Sequence, residues 1–283
     1  MPEIDLTSPE SPVLLEQLGG GVARITLNRP EKRNAMSHAA RTAVVEALDV
    51  LRGEPAAKVV IITGGTGPAF CAGMDLKETA AAGWRGTGTS NDRRSTWNFV
   101  NEEIARHPAI FIAAVNGVAL GGGTTLVNSC DLAIAADTAQ LGMPEIGFAM
   151  YPGLAGPSTQ LRVTRKRAAW MVLTADRIDA ATAAEWGLVN KVTTGERLQE
   201  EALELARRIA QFDPVALELS KRALWEIPDR TSDWPRALAY GEDISAQISV
   251  RTSASQTGLD AFVAGDRNPG QGMGDGAAHT SGR

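Results

Sequence analysis

The sequence predicts an α/β fold, and two patterns carry that expectation. Apolar, largely β-branched runs at Val59–Thr63, Ile110–Val115 and Leu132–Ala136 are separated by stretches of helical composition. Such alternation is the pattern of a parallel sheet covered by helices. Ahead of these runs, Val13–Leu18 and Val22–Leu27 flank Gly19-Gly20-Gly21 and read as a β-hairpin.

Taken in order, residues 1–12 carry acids and prolines with no basic start or apolar signal core, and are expected to be a flexible lead-in. Residues 13–194 are expected to form the core. Ser37 can cap a helix from about His38 to Leu51, with Val44, Leu48 and Leu51 along one face. Thr79 to Arg94 is rich in Ala, Gly, Ser and Thr and reads as a mobile loop, while Leu126 to Cys130 can form a short helix. Residues 195–262 read as a C-terminal helical segment in which Pro214, Pro228 and Pro235 mark breaks. The last stretch, 263–283, is rich in Gly, Asp and Ser and is expected to be a disordered tail.

Composition narrows the function. A chain of 283 residues, 43% hydrophobic, can bury a sizeable core as one large domain or one domain with an appendage. Net charge is −5 with Lys and Arg scattered, so no basic stripe argues for nucleic acid. No run of ~18 apolar residues argues for a membrane span. Cys71 and Cys130 cannot build a disulfide framework and fit a reduced, cytoplasmic setting as buried small side chains. His38, His107 and His279 lack acid partners at ligand spacing, so no metal is assigned.

Two segments carry the chemistry. Val115-Asn116-Gly117-Val118-Ala119-Leu120-Gly121-Gly122-Gly123 runs from a buried strand into a glycine turn and then a helix. The first N–H groups of a helix lack partners, and glycine lets another group approach them closely. That turn is either a close-packed junction or a cradle for phosphate or an oxyanion. Val59 to Glu78 repeats the design, with a β-branched strand, a turn-rich loop and then Cys71-Ala72-Gly73-Met74. Two such strand ends can supply two N–H donors. No Gly-Lys-Ser/Thr follows Gly64-Gly65-Thr66-Gly67, and no Gly-x-Gly-x-x-Gly opens a helix in the first βαβ unit, which argues against nucleotide binding.

Five blocks together resemble the crotonase (enoyl-CoA hydratase/isomerase) superfamily. They are Asn28 to Met36, Phe70 to Leu76, Asn116-Gly117 with Gly121-Gly122-Gly123, Cys130 to Ala135, and Pro144-Glu145-Ile146-Gly147. The resemblance runs from about Val13 to Phe262 and implies a crotonase-like spiral core of repeated ββα turns with a C-terminal helical segment. It implies an acyl-CoA substrate with coenzyme A as its thioester part, no permanently bound cofactor, and a homotrimer or dimer of trimers. For that assembly Leu238, Ile244, Ile248, Leu259 and Phe262 are available, as they are for packing within one chain.

By position, the resemblance places the oxyanion-hole donors at the backbone N–H of Met74 and Gly122, and the catalytic acid/base at Glu145. It runs Lys32, Arg33 and Ala35 along the pantetheine and phosphates, and presents the Ala72 carbonyl to the adenine with Asp75 and Leu76 nearby. Pro152 and Gly153 would open the helix bordering the acyl pocket. One departure matters most: where authentic hydratases carry a second glutamate, this chain has Thr125. A hydroxyl can position water but cannot serve as a base at neutral pH. Single-glutamate chemistry remains, either 3-enoyl to 2-enoyl isomerisation or an atypical hydration. The hydroxycinnamoyl-CoA hydratase-lyases are the alternative, with a serine at the place of Thr125 and a substrate-binding tyrosine that aligns with Tyr240. A non-catalytic CoA-thioester-binding protein is the alternative of another class.

Overall fold

The computed structural model describes residues 4–53, 56–81, 96–230 and 234–265. Two strands, β1 (Val13–Gly19) and β2 (Val22–Leu27), pair antiparallel across the glycine turn. Helix α1 (His38–Arg52) follows, with the Ser37 side chain accepting the Ala40 N–H. The strands at 59–63, 110–115 and 132–136 form with the bounds read from the sequence; they are β3 (Val59–Thr63), β5 (Ile110–Val115) and β7 (Leu132–Ala136). Each is the first strand of a ββα turn. Its partner is short: β4 (Ala69–Cys71), β6 (Val118–Leu120) or β8 (Gln140–Gly142).

The first of these turns is completed by α2 (Leu76–Ala81) and α3 (Trp97–Arg106), and the second by α4 (Gly122–Ser129). After β8 the chain passes through a 3-10 turn at Pro144–Phe148 into α5 (Ala155–Gln160) and α6 (Arg165–Thr174). Then come β9 (Ile178–Asp179), α7 (Ala180–Trp186) and β10 (Lys191–Thr193). Four helices close the described chain: α8 (Leu198–Ala210), α9 (Pro214–Arg230), α10 (Trp234–Arg251) and α11 (Ala254–Val263).

The first strands enter a six-stranded sheet of order β1-β2-β3-β5-β7-β10, and the second strands a four-stranded sheet of order β4-β6-β8-β9. Side chains alternate across the large sheet, so its inner strands serve two cores. Val60, Ile62, Phe111 and Ala113 face the main core with α1 and α3. Val59, Ile61, Ile110 and Ile112 face Leu198, Ala202, Ala206 and Ala210, one stripe of α8. This double burial explains why these strands are continuous apolar runs.

Three expectations are corrected. Helix α4 begins at Gly122, four residues before the expected Leu126, because its buried N-terminus tolerates glycines that intrinsic propensity would keep out of a helix. Pro228 lies inside α9 rather than at a break, close enough to the helix end that its missing N–H affects only the last turns, whereas Pro214 opens α9 and Pro235 lies in the first turn of α10. Of the expected loop at Thr79 to Arg94, residues 79–81 complete α2, and the remainder, like most of the tail at 263–283, lies outside the described residues. At the start of the chain, Leu6 is buried in the main core and its carbonyl accepts the Leu15 N–H.

Candidate functional site

The small sheet positions the site. β4, β6 and β8 lie side by side and parallel, so their carboxyl ends open on one edge. Ligands of α/β sheets bind outside the carboxyl ends of strands. Met74 follows the end of β4, Gly122 the end of β6, and Glu145 the end of β8. Three sequence-predicted residues, 48 and 23 positions apart along the chain, thus emerge from neighbouring strands.

Met74 forms an isolated parallel bridge with Met36. The Met36 N–H donates to Gly73 O at 2.8 Å and the Asp75 N–H to Met36 O at 3.3 Å. That pattern uses the groups on either side of Met74 and turns the Met74 N–H the other way, towards the β6 turn. Gly73 makes the approach possible: at φ +87°, a Cβ there would meet Leu120 O at 2.6 Å and Gly122 N at 3.2 Å. At the turn, Gly121 has φ 51° and ψ −114°, a conformation open only to glycine, and donates its N–H to Gly142 O at 2.9 Å. Gly122 is the first residue of α4, so its N–H has no intrahelical acceptor. Beneath it, the Thr124 hydroxyl, 3.0 Å from both Ala119 O and Gly142 O, ties β6 to β8.

Glu145 is held in the 3-10 turn after the buried Met143, and its carbonyl accepts the Met150 N–H at 3.1 Å. Its Oε1 fills the space a Cβ on Gly121 would take. Its Oε2 is buried with no hydrogen-bond partner. Burial raises the carboxyl above its ordinary 4.5, so it holds a proton more readily than a solvated glutamate. Thr125 is 4% exposed, and its hydroxyl is turned back onto Gly121 O at 3.4 Å. The carboxylate of Glu145 therefore stands over the glycine turn without a second carboxylate at position 125.

The loop before α1 is braced against this edge. Buried Asn34 donates its amide towards Gly64 O, Ala69 O and Phe70 O at 3.0–3.2 Å and accepts the Arg29 N–H at 2.9 Å. Arg33 and Asn34 both adopt positive φ, and Arg33 O accepts the Ala72 N–H at 3.0 Å. Lys32 and Arg33 are exposed, Ala35 is half-buried, and Leu76 is 50% exposed. Asp75 is bound to the fold itself: burial alone would raise its proton affinity, but its capping of the Glu78 N–H at 3.3 Å and its pairing with Arg29 at 3.1 Å together hold the carboxyl below its ordinary range.

Other predicted positions fall less directly on the site. Helix α5 begins at Ala155, two residues after Gly153, and buried Pro152 contributes its carbonyl to the Gly156 N–H at 2.7 Å. The Tyr240 hydroxyl donates to Glu226 at 2.6 Å, which joins α10 to α9. Ile244 is buried within this chain, Ile248 is half-buried and Leu238 is 50% exposed, while the side chains of Leu259 and Phe262 lie outside the described residues. Among the described residues no helix is long and apolar enough to cross a membrane.

Sequence reasoning missed Trp97. Its indole lies on the Gly122 Cα, where a Cβ would collide with Nε1. It follows an unpatterned stretch and meets a turn 25 positions later, so no local periodicity points to it.

Comparison with known proteins agrees with this architecture. The profile of the enoyl-CoA hydratase/isomerase family matches residues 17–267. A hydroxycinnamoyl-CoA hydratase-lyase of Pseudomonas fluorescens is 31% identical over 252 residues, 87% of this chain and 90% of that protein. A probable enoyl-CoA hydratase of Rhizobium meliloti is 38% identical over 255 residues, 89% of this chain and 95% of that protein. The crystal structure of an enoyl-CoA hydratase from Bacillus anthracis superposes with TM-score 0.80 at 33% identity, covering 89% of this chain and 96% of that one. A profile match over most of the chain, on a spiral of ββα turns that gathers Met74, Gly122 and Glu145, makes this protein a member of the enoyl-CoA hydratase/isomerase family.

Proposed function

We propose that this enzyme enolises an acyl-CoA thioester with one carboxylate, moving a proton between the α and γ carbons of a 3-enoyl thioester. The observation that carries the reading is Glu145: a partly buried carboxyl of raised proton affinity, with Oε2 unpartnered, standing over a turn that offers the Gly122 N–H. The thioester oxygen accepts from the N–H groups of Met74 and Gly122. Glu145 removes the α proton, the C–H electron pair becomes part of a dienolate, and the negative charge gathers on the oxygen. The Glu145 carboxyl, exchanging its proton with solvent meanwhile, then protonates the γ carbon and the double bond moves into conjugation. No water is added to the thioester, which suits a site where Thr125 directs its hydroxyl to Gly121 O.

The Pseudomonas relative supports a second reading, in which Glu145 activates water for a hydroxycinnamoyl thioester that then splits to an aldehyde and acetyl-CoA. Lys32, Arg33, Ala35, Ala72 and Leu76 border the CoA moiety in either case.

The two readings separate by mass spectrometry of crotonyl-, 3-hexenoyl- and feruloyl-CoA incubated with enzyme in deuterated water. Conversion of 3-hexenoyl-CoA to the 2-enoyl thioester, abolished in Glu145→Gln, is the expected result. Acetyl-CoA and an aromatic aldehyde from feruloyl-CoA would favour the lyase. Binding of every thioester with no turnover and no deuterium would mean that the site only binds.

A further inference from the structure

Two buried polar atoms without partners meet at the Gly121-Gly122 turn, the Glu145 Oε2 acceptor and the Trp97 Nε1 donor. The mechanism above uses the first and leaves the second idle. Trp97 is 4% exposed. A Cβ on Gly122 would collide with its Nε1 and meet Cδ1 at 2.9 Å and Cε2 at 3.0 Å, so the N–H edge of the indole rests on the Gly122 Cα. An indole nitrogen donates and cannot accept. Burying such a donor unpaired is costly, and buried tryptophans usually find an acceptor.

The placement is fixed by a chain of polar contacts. Thr96 caps α3 by accepting the Phe99 N–H at 3.2 Å. The Trp97 carbonyl accepts from Asn101 at 2.7 Å, and Asn101 Oδ1 lies 2.8 Å from Ser129 Oγ, whose hydroxyl is also 2.9 Å from Thr125 O. These contacts lock the start of α3 to α4, the helix whose first N–H belongs to Gly122. The indole donor and the Gly122 N–H are thereby held in constant relation.

We propose that Trp97 is a catalytic residue whose Nε1–H is a third donor to the thioester oxygen. This rests on the reading of the site as an enolising centre. A carbonyl oxygen has two lone pairs, which the N–H groups of Met74 and Gly122 match. When Glu145 takes the α proton, the C–H pair enters the π system and the carbonyl π pair moves onto oxygen. The oxygen then carries a third lone pair and a negative charge. A third donor beside it gains more in the transition state than in the bound ground state, which raises kcat rather than affinity.

Trp97→Phe keeps an aromatic ring but removes the N–H with the pyrrole half of the indole. Deuterium exchange at the α carbon of 3-hexenoyl-CoA should fall about a hundredfold or more in this variant with KM nearly unchanged. In parallel, the indole ¹H–¹⁵N spectrum of the wild-type protein is titrated with acetoacetyl-CoA, a readily enolised thioester, and with CoA alone. One resonance, missing from Trp97→Phe, should move downfield with acetoacetyl-CoA and stay put with CoA. If that variant does not fold, Phe variants of the other five tryptophans assign the resonance by elimination. Wild-type exchange in a folded Trp97→Phe, or an unmoved resonance while acetoacetyl-CoA binds, overturns the third donor and leaves the enolising site standing. A wild-type protein that neither binds acetoacetyl-CoA nor exchanges deuterium overturns the site reading, and the third donor with it.

Discussion

Glu145 Oε1 occupies the space that a side chain on Gly121 would fill. The carboxylate thus gains its position from a missing Cβ at a residue whose φ of 51° and ψ of −114° already require glycine. Backbone geometry and carboxylate placement are one constraint. The same closeness buries Oε2 away from water, and that burial raises the carboxyl above 4.5.

Gly121→Ala should therefore damage catalysis more than stability. The backbone conformation costs an alanine about 1–3 kcal/mol, while the new methyl pushes the carboxylate off the turn. Thermal unfolding should show a modest loss. Steady-state kinetics should show a fall in kcat approaching that of Glu145→Gln, for which the loss of a positioned acid/base is about 10²–10⁴-fold.

The pH–rate profile follows from the direction of the Glu145 shift. The carboxylate is the active base, and its pKa lies above 4.5. Activity should be full above that pKa and fall as pH drops through it, with an acid limb higher than a solvated glutamate would give. An acid limb at or below 4.5 would sink the assignment.

Thr125→Val tests what the hydroxyl does. That group touches Gly121 O, which already accepts the Thr125 N–H at 3.1 Å. Isomerisation should survive nearly intact, because no water is involved. Hydration of a 2-enoyl thioester, if the hydroxyl orients water, should drop about tenfold, the scale of one hydrogen bond. Comparing both reactions in one variant separates the two roles.

His107 gives the fold an acid-side dependence. Its Nδ1 accepts the Ala109 N–H at 3.1 Å, so the proton is on Nε2, which donates to Leu48 O at 3.2 Å. Burial first, then Arg52, lowers its pKa from 6.5 to about 4. Between those values the unfolded chain binds the extra proton and the folded one does not. Stability is therefore full above pH 6.5 and falls towards pH 4, by about 3 kcal/mol if this group acted alone. Denaturant titrations across that window should show the slope, reduced in His107→Gln.

Lys221 carries a structural charge. Its ammonium meets Asp131 at 3.0 Å, Ile104 O at 2.9 Å and Ala109 O at 2.8 Å, three acceptors for three N–H groups. Asp131 is further held by the Phe111 N–H at 2.8 Å and the Trp225 indole at 3.1 Å, which fastens α9 to the large sheet. Lys221→Met should lower unfolding free energy by about 3–5 kcal/mol, as expected when a buried pair loses one partner. A loss near zero by denaturant titration would show that the pair does not hold α9.

The sequence by itself determined five of the six strands of the large sheet, all but β10, and the identity of the chemistry-bearing blocks. Val59–Thr63, Ile110–Val115 and Leu132–Ala136 are apolar on both faces because two cores enclose them, so their run lengths were readable. Ser37 announced α1 through a local side-chain cap. What only the tertiary structure decided is how the blocks meet. β4, β6 and β8 are three residues each, too short for periodicity, yet their parallel pairing brings Met74, Gly122 and Glu145 to one edge. Whether a glycine admits a ligand or a neighbouring side chain is equally invisible along the chain. Gly121 makes room for the Glu145 carboxylate and Gly122 for the Trp97 indole, because packing distances between remote segments, not local preference, set which atoms fill the missing Cβ positions.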